Sequence, residues 1–123
     1  MKQYDLLIID DERRFADMLA KRLNLRGCEC EVCYSGREAL DVLKRKNFSL
    51  VILDLHLPDL YGSEVLSRIK KINAQIPVII LTAHGTQKDR QECMQKGAYD
   101  FMQKPLVIEK LMATLAQIGQ VSA

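Results

Sequence analysis

The sequence predicts a doubly wound α/β fold, with five parallel strands in one sheet and helices on both of its faces. Three observations carry that prediction. Short runs apolar at every position recur, Leu6 to Ile9, Leu50 to Leu53 and Val78 to Leu81, as strands buried on both faces require. Stretches with helical apolar spacing stand between them. The runs end on polar groups able to carry chemistry, Asp10 and Asp11, Asp54, and Thr82.

The first strand spans Tyr4 to Ile9 and ends in two carboxylates. From Glu12 the spacing of Phe15, Met18, Leu19 and Leu23 is that of an amphipathic helix, which Gly27 stops. Cys28 to Tyr34 alternates polar and apolar residues, which places this strand at a sheet edge with one exposed side. Ser35, with Glu38 three residues on, opens a helix whose inner face is Ala39, Leu40, Val42 and Leu43, ending at Asn47. Phe48 to Leu53 leads to Asp54, and Pro58 with Gly62 shapes the following loop. Asp59 reads as an ordinary residue of that loop.

Gly62 and Ser63 begin a helix with Val65, Leu66, Ile69 and Ile72 on one face. The fourth strand runs from Pro77 to Leu81 and reaches Thr82. Thr86 to Lys96 is a helix by position, but only Cys93 and Met94 look like core residues, so its apolar stripe is the thinnest in the chain. That helix is the element expected to move. Tyr99 to Gln103 forms the fifth strand before Lys104 and Pro105. The last helix starts near Val107 and carries Ile108, Leu111, Met112, Leu115 and Ile118.

Five strand-helix units imply a single domain over residues 1–123, with the flavodoxin-like strand order 2-1-3-4-5 and five helices. The chain has 123 residues, 48% of them hydrophobic, enough for a substantial core. A net charge of +2, with basic and acidic residues interspersed, gives no electrostatic ground for binding nucleic acid or membrane. No apolar run reaches the roughly 20 residues of a membrane span, so a cytoplasmic protein is expected. Cys28, Cys30, Cys33 and Cys93 suit a reducing compartment. Cys30 and Cys33 form a C-x-x-C, but residues three apart in a strand point to opposite faces and cannot share a metal or a disulfide.

In the 2-1-3-4-5 order, Asp10, Asp11, Asp54, Thr82 and Lys104 meet at the carboxyl ends of neighbouring strands, where open α/β sheets bind ligands. Any one of these residues alone would be a helix cap or a surface charge; their convergence points to a site. Carboxylates about 4 Å apart repel by about 4 kcal/mol at an effective dielectric of about 20. Such a group calls for cations: Lys104 supplies one, and Mg²⁺, which keeps open positions for water, supplies the rest. A phosphoryl group fits beside them, since metal, ammonium and hydroxyl can each take one of its oxygens. Asp54 could be the nucleophile with no general base, because carboxylates are ionised at neutral pH.

Asp10-Asp11, Asp54 with Leu57-Pro58 and Gly62, Leu81-Thr82-Ala83, and Gly97 to Phe101 leading to Lys104-Pro105 resemble the receiver domain of two-component response regulators. The resemblance covers essentially the whole chain. It implies a signalling switch that is no conventional enzyme, in which Asp54 accepts a phosphoryl group from the phosphohistidine of a sensor histidine kinase or phosphotransfer protein. Mg²⁺ would be held by Asp11, Asp54 and the backbone carbonyl of His56, with Asp10 acting mainly through water on the metal. Thr82 and Lys104 would bind phosphoryl oxygens, Phe101 would be an aromatic switch turning inward as Thr82 moves, and the Lys104-Pro105 bond would be cis. The fourth helix, fifth strand and fifth helix would form the surface that addresses an effector domain, a downstream protein or, on phosphorylation, a second copy.

Leu81 to Gly85 is similar to receivers of enhancer-binding transcription activators, which suggests a transcriptional output. The fourth helix departs from similar receivers in carrying Gln87, Arg90 and Lys96 where apolar or small residues are common. His56 and His84, each two residues past a key position, would line the mouth of the site and tune phosphoryl lifetime. Two other functions compete. A phosphatase of the haloacid dehalogenase type would want an Asp where His56 stands, and a binding module independent of phosphorylation would be expected to lack one of the acidic-site residues. Neither a G-x-G-x-x-G nor a Walker loop follows the first strand, so a nucleotide site is disfavoured.

Overall fold

The computed structural model describes residues 4–122. Strands β1 (Tyr4–Ile9), β2 (Cys28–Cys33), β3 (Leu50–Leu53), β4 (Val78–Thr82) and β5 (Asp100–Gln103) alternate with helices α1 (Arg13–Asn24), α2 (Gly36–Arg45), α3 (Gly62–Ile72), α4 (Gln87–Gln95) and α5 (Ile108–Ser122). The strands form one parallel sheet in the order β2-β1-β3-β4-β5, as the sequence predicts. Ile9 lies level with Leu53, Leu53 with Ile80, and Ile80 with Phe101, so β1 and β3 finish level while β4 runs on past them to Thr82.

The two-residue period of a strand divides the core in two. Leu7, Ile9, Val51, Leu53, Val78 and Ile80 face the layer that includes α2, α3 and Cys93 of α4. Leu6, Ile8, Leu50, Ile52, Ile79 and Leu81 face α1 and α5. Both faces of the central strands are therefore covered, which is why their sequences show no polar alternation. In the edge strand β2, Cys33 joins the first layer while Cys30 packs against the second, so the C-x-x-C cysteines diverge. Burial pushes the Cys33 thiol up to about 12.

Three expected core residues lie outside. In α1 the inner face is Ala16, Leu19, Ala20 and Leu23, whereas Met18 is exposed. Two alanines share that face with Leu19 and Leu23, and apolarity alone cannot separate them from Met18. Ile72 and Met94, each near a helix end, are also exposed. Among the described residues, no helix is long and apolar enough to cross a membrane.

Candidate functional site

Backbone hydrogen bonds carry the ladder one residue past the strands and thereby place the functional side chains. Asp54 N–H donates to Ile9 O at 2.9 Å, Asp10 N–H to Cys33 O at 3.0 Å, and Lys104 N–H to Thr82 O at 3.0 Å. Asp10, Asp54 and Lys104 thus stand at the rim of one sheet rather than on free loops. The Lys104-Pro105 peptide is cis. Gly62 is required by close approach: a Cβ there would lie 2.5 Å from Leu55 Cα and 2.7 Å from Asp54 O. The start of α3 is pressed directly against the strand end that presents Asp54.

At this rim Lys104 Nζ lies 2.8 Å from Asp10 Oδ2, 2.5 Å from Glu12 Oε1 and 3.7 Å from Asp54 Oδ2. Phe15 presents its ring 4.3 Å from the same nitrogen. Burial disfavours the Lys104 ammonium, but hydrogen bonds to Asp10 and Glu12 and the charges of Asp10 and Asp54 outweigh it, so its pKa is raised. Asp10 is raised as well, first by burial and then by Asp54, against the opposing influence of Lys104 and the Glu12 N–H. One buried cation therefore faces more negative charge than it can neutralise.

Among the described residues, two buried side-chain polar atoms have no hydrogen-bond partner within the protein, Asp54 Oδ1 and Thr82 Oγ1. They sit at the ends of adjacent strands, β3 and β4. Burying such groups unsatisfied costs about 1–3 kcal/mol each, so the site is built for partners from outside the chain. Asp10, Glu12 and Asp54 each bring a carboxylate oxygen within 4.8 Å of the others. An all-oxygen set with an unpartnered buried carboxylate oxygen fits a hard divalent cation such as Mg²⁺.

The expected residues do not all stand alike. Asp10, Asp54, Thr82 and Lys104 come together, whereas Asp11 is exposed and lines, with Glu12, Asp54, His56, Ala83 and His84, an open cleft of about 280 Å³. Both histidines are exposed on that cleft, and the His56 ring meets Tyr61 edge-on at 5.8 Å. Phe101 already lies inward, 6% exposed. A Cβ on Gly85 would fall 2.5 Å from Phe101 Cζ and 2.8 Å from Thr82 Cγ2, so the loop after β4 rests on the ring. Glu12 was readable from sequence only as the residue before a helix. Its proximity to two aspartates was the available signal, but its pairing with a lysine 92 residues away leaves no local trace.

Comparison with known proteins places this geometry among relatives. Residues 6–116 match the family model described as response regulator receiver domain. The chain is 38% identical over 115 residues to the uncharacterized transcriptional regulatory protein YkoG of Bacillus subtilis, covering 94% of this chain and 50% of that protein. A CheY-like receiver domain protein from Methanospirillum hungatei superposes with a TM-score of 0.88 at 25% identity, covering 94% of this chain and 96% of the other. A response regulator from Burkholderia pseudomallei, whose crystal structure holds a phosphorylated aspartic acid, a calcium ion and citrate, gives 0.87 at 25% identity over 98% and 71% of the two chains. The chain spans about half or less of the length of the curated relatives it matches.

Proposed function

The chain belongs to the response regulator receiver domain family, and from that membership we propose that residues 1–123 form one phosphoacceptor domain, switched by phosphorylation of Asp54. The observation that carries this reading is the pair of unpartnered buried atoms, Asp54 Oδ1 and Thr82 Oγ1, beside the Lys104 ammonium. A carboxylate oxygen of Asp54 forms the new P–O bond while the P–N bond to a kinase or phosphotransfer phosphohistidine breaks. The bonding pair leaves on the imidazole nitrogen. Thr82 and Lys104 take phosphoryl oxygens as hydrogen-bond donor and cation.

Asp10, Asp11, Asp54 and the backbone carbonyl of His56 are the groups that would hold Mg²⁺. When bound, Mg²⁺ neutralises the charge that gathers as an anionic group approaches carboxylates. Binding of Thr82 to the phosphoryl group gives Phe101 and the Gly85 loop a reason to repack, since Gly85 lies against both side chains. The readout is a shift in population between two arrangements of the α4, β5 and α5 surface, which addresses an effector domain, a partner or a second copy. Likeness to transcriptional regulators supports a transcriptional output, for which a cytoplasmic setting is the natural one. His56 and His84, on the cleft, set how water reaches the acyl phosphate.

Intact mass measured after incubation with Mg²⁺ and a small acyl phosphate tests the reading. The expected result is a labile gain of one phosphoryl group, abolished by EDTA and by Asp54→Asn. No gain in the folded, Mg²⁺-bound wild type would overturn it in favour of a binding module that works without phosphorylation.

A further inference from the structure

We propose that Glu12 is a positioning residue for Lys104, holding the ammonium off Asp54 until the acidic site is loaded; this deepens the switch reading and rests on it. Lys104 makes its two short contacts with Glu12 and Asp10, at 2.5 and 2.8 Å, and stays 3.7 Å from Asp54 Oδ2, beyond hydrogen-bond distance. The nucleophile is therefore not tied up by the nearest cation.

The two partners of the ammonium differ in mobility. Asp10 is buried, and its Oδ1 accepts from Glu12 N–H at 3.0 Å, so its carboxylate is fixed at both oxygens. Glu12 has a side chain 59% exposed, against 8% for Lys104. It occupies the N-cap position of α1 but makes no side-chain capping bond there. Its carboxylate, free of the usual local role, is committed to a lysine at the far end of the chain. An exposed carboxylate that gives up the ammonium is resolvated by water at little cost, which a buried one is not.

The consequence is a competition for one cation. Without the Glu12 charge, the nearest acceptors left to Lys104 are Asp10 and Asp54, and an arriving divalent ion must displace the ammonium from the oxygens it needs. With Glu12 present, Lys104 keeps a partner as it gives up those oxygens to the metal, and it moves to a phosphoryl oxygen afterwards. Glu12 acts through Lys104, neither as a metal ligand nor as a diffuse negative charge.

A double-mutant cycle on Mg²⁺ affinity, read by calorimetry and by backbone NMR shifts with no phosphoryl donor present, tests this. Glu12→Gln is expected to weaken Mg²⁺ binding about two- to fivefold, the range of an exposed ion pair. In a Lys104→Met background, or Lys104→Gln should the methionine variant not fold, the same change is expected to have almost no effect. An equal loss in both backgrounds, as ligation or simple charge attraction would give, overturns the proposal, and so does absence of Mg²⁺ binding by the wild type. Lys104 Cε–Hε NMR signals in metal-free Glu12→Gln that match the wild type would also overturn it. Failure of this cycle with phosphoryl gain intact removes the role of Glu12 alone; an intact cycle without phosphoryl gain removes the switch reading alone.

Discussion

Helix α2 buries Gly36, Ala39, Leu40, Val42 and Leu43, whereas α4, on the same face of the sheet, buries Cys93 alone. The two are therefore held by different forces. Packing secures α2 along its length, and two polar anchors fix its start: Ser35 Oγ accepts from Glu38 N–H at 3.2 Å, and Asp59 accepts from Gly36 and Arg37 N–H at 2.9 Å each. Asp59 is thus a cap supplied from the β3–α3 loop rather than an idle loop residue. Gly36 suits that junction, since a Cβ there would meet Val65 Cγ2 at 2.9 Å.

Polar bonds hold α4 almost by themselves. Thr86 and Asp89 form a reciprocal capping box, with both bonds at 3.0 Å. Tyr61 O–H donates to Asp89 Oδ1 at 3.1 Å, and Arg90 Nη1 donates to Phe101 O at 3.1 Å. Arg90 thereby ties α4 to the strand that carries the buried ring. Apolar burial is non-directional and resists displacement, whereas a few hydrogen bonds worth about 1 kcal/mol each can be exchanged. A helix held in the second way is the more easily displaced of the two.

Three measurements sharpen this contrast. Leu43→Ala in α2 should cost about 2–5 kcal/mol of global stability in urea unfolding, because the cavity opens in a packed layer. A loss below about 1 kcal/mol would place α2 with α4 and dissolve the distinction.

Asp59→Ala should cost about 1–2 kcal/mol through loss of the cap. Burial, the largest influence on the Asp59 carboxyl, would raise it, but the N–H groups of Arg37 and Gly36, with its own and that of Leu60, prevail and hold it below its usual range. A carboxyl depressed on folding stabilises above its unfolded value of about 3.9 and loses that contribution as pH falls through the folded value. The gap between wild type and Asp59→Ala should therefore be full at pH 6 and narrow as the pH is taken well below 4.

Tyr61→Phe should have the smallest effect. A loss of about 0.5–1 kcal/mol is expected, confined to faster hydrogen exchange in α4 with little change in the global unfolding midpoint. Slower or unchanged exchange in α4 would mean that the Asp89 bond does not help to hold the helix.

The legible part of the molecule follows from periodicity. Runs such as Leu50 to Leu53 reported burial on both faces, and the residue after each run was bound to reach the rim, because every parallel strand of one sheet ends on the same side. Asp10, Asp54, Thr82 and Lys104 could therefore be assembled from one-dimensional order and a strand sequence. Ala39, Leu40, Val42 and Leu43 were found for the same reason.

Met18 and Ile72 were misplaced, because an apolar side chain on a helix is counted inward by composition while the helix axis and its distance from the sheet decide. The amino-acid sequence by itself determined the elements, their order and which residues stand at the strand ends, since those depend on local spacing and on the burial that spacing encodes. Tertiary structure alone decided that Glu12 takes Lys104, that Asp59 caps α2 and that Tyr61 reaches Asp89. These are contacts between polar side chains far apart in the chain, settled by rotamer and reach, and such pairings impose no period on the sequence.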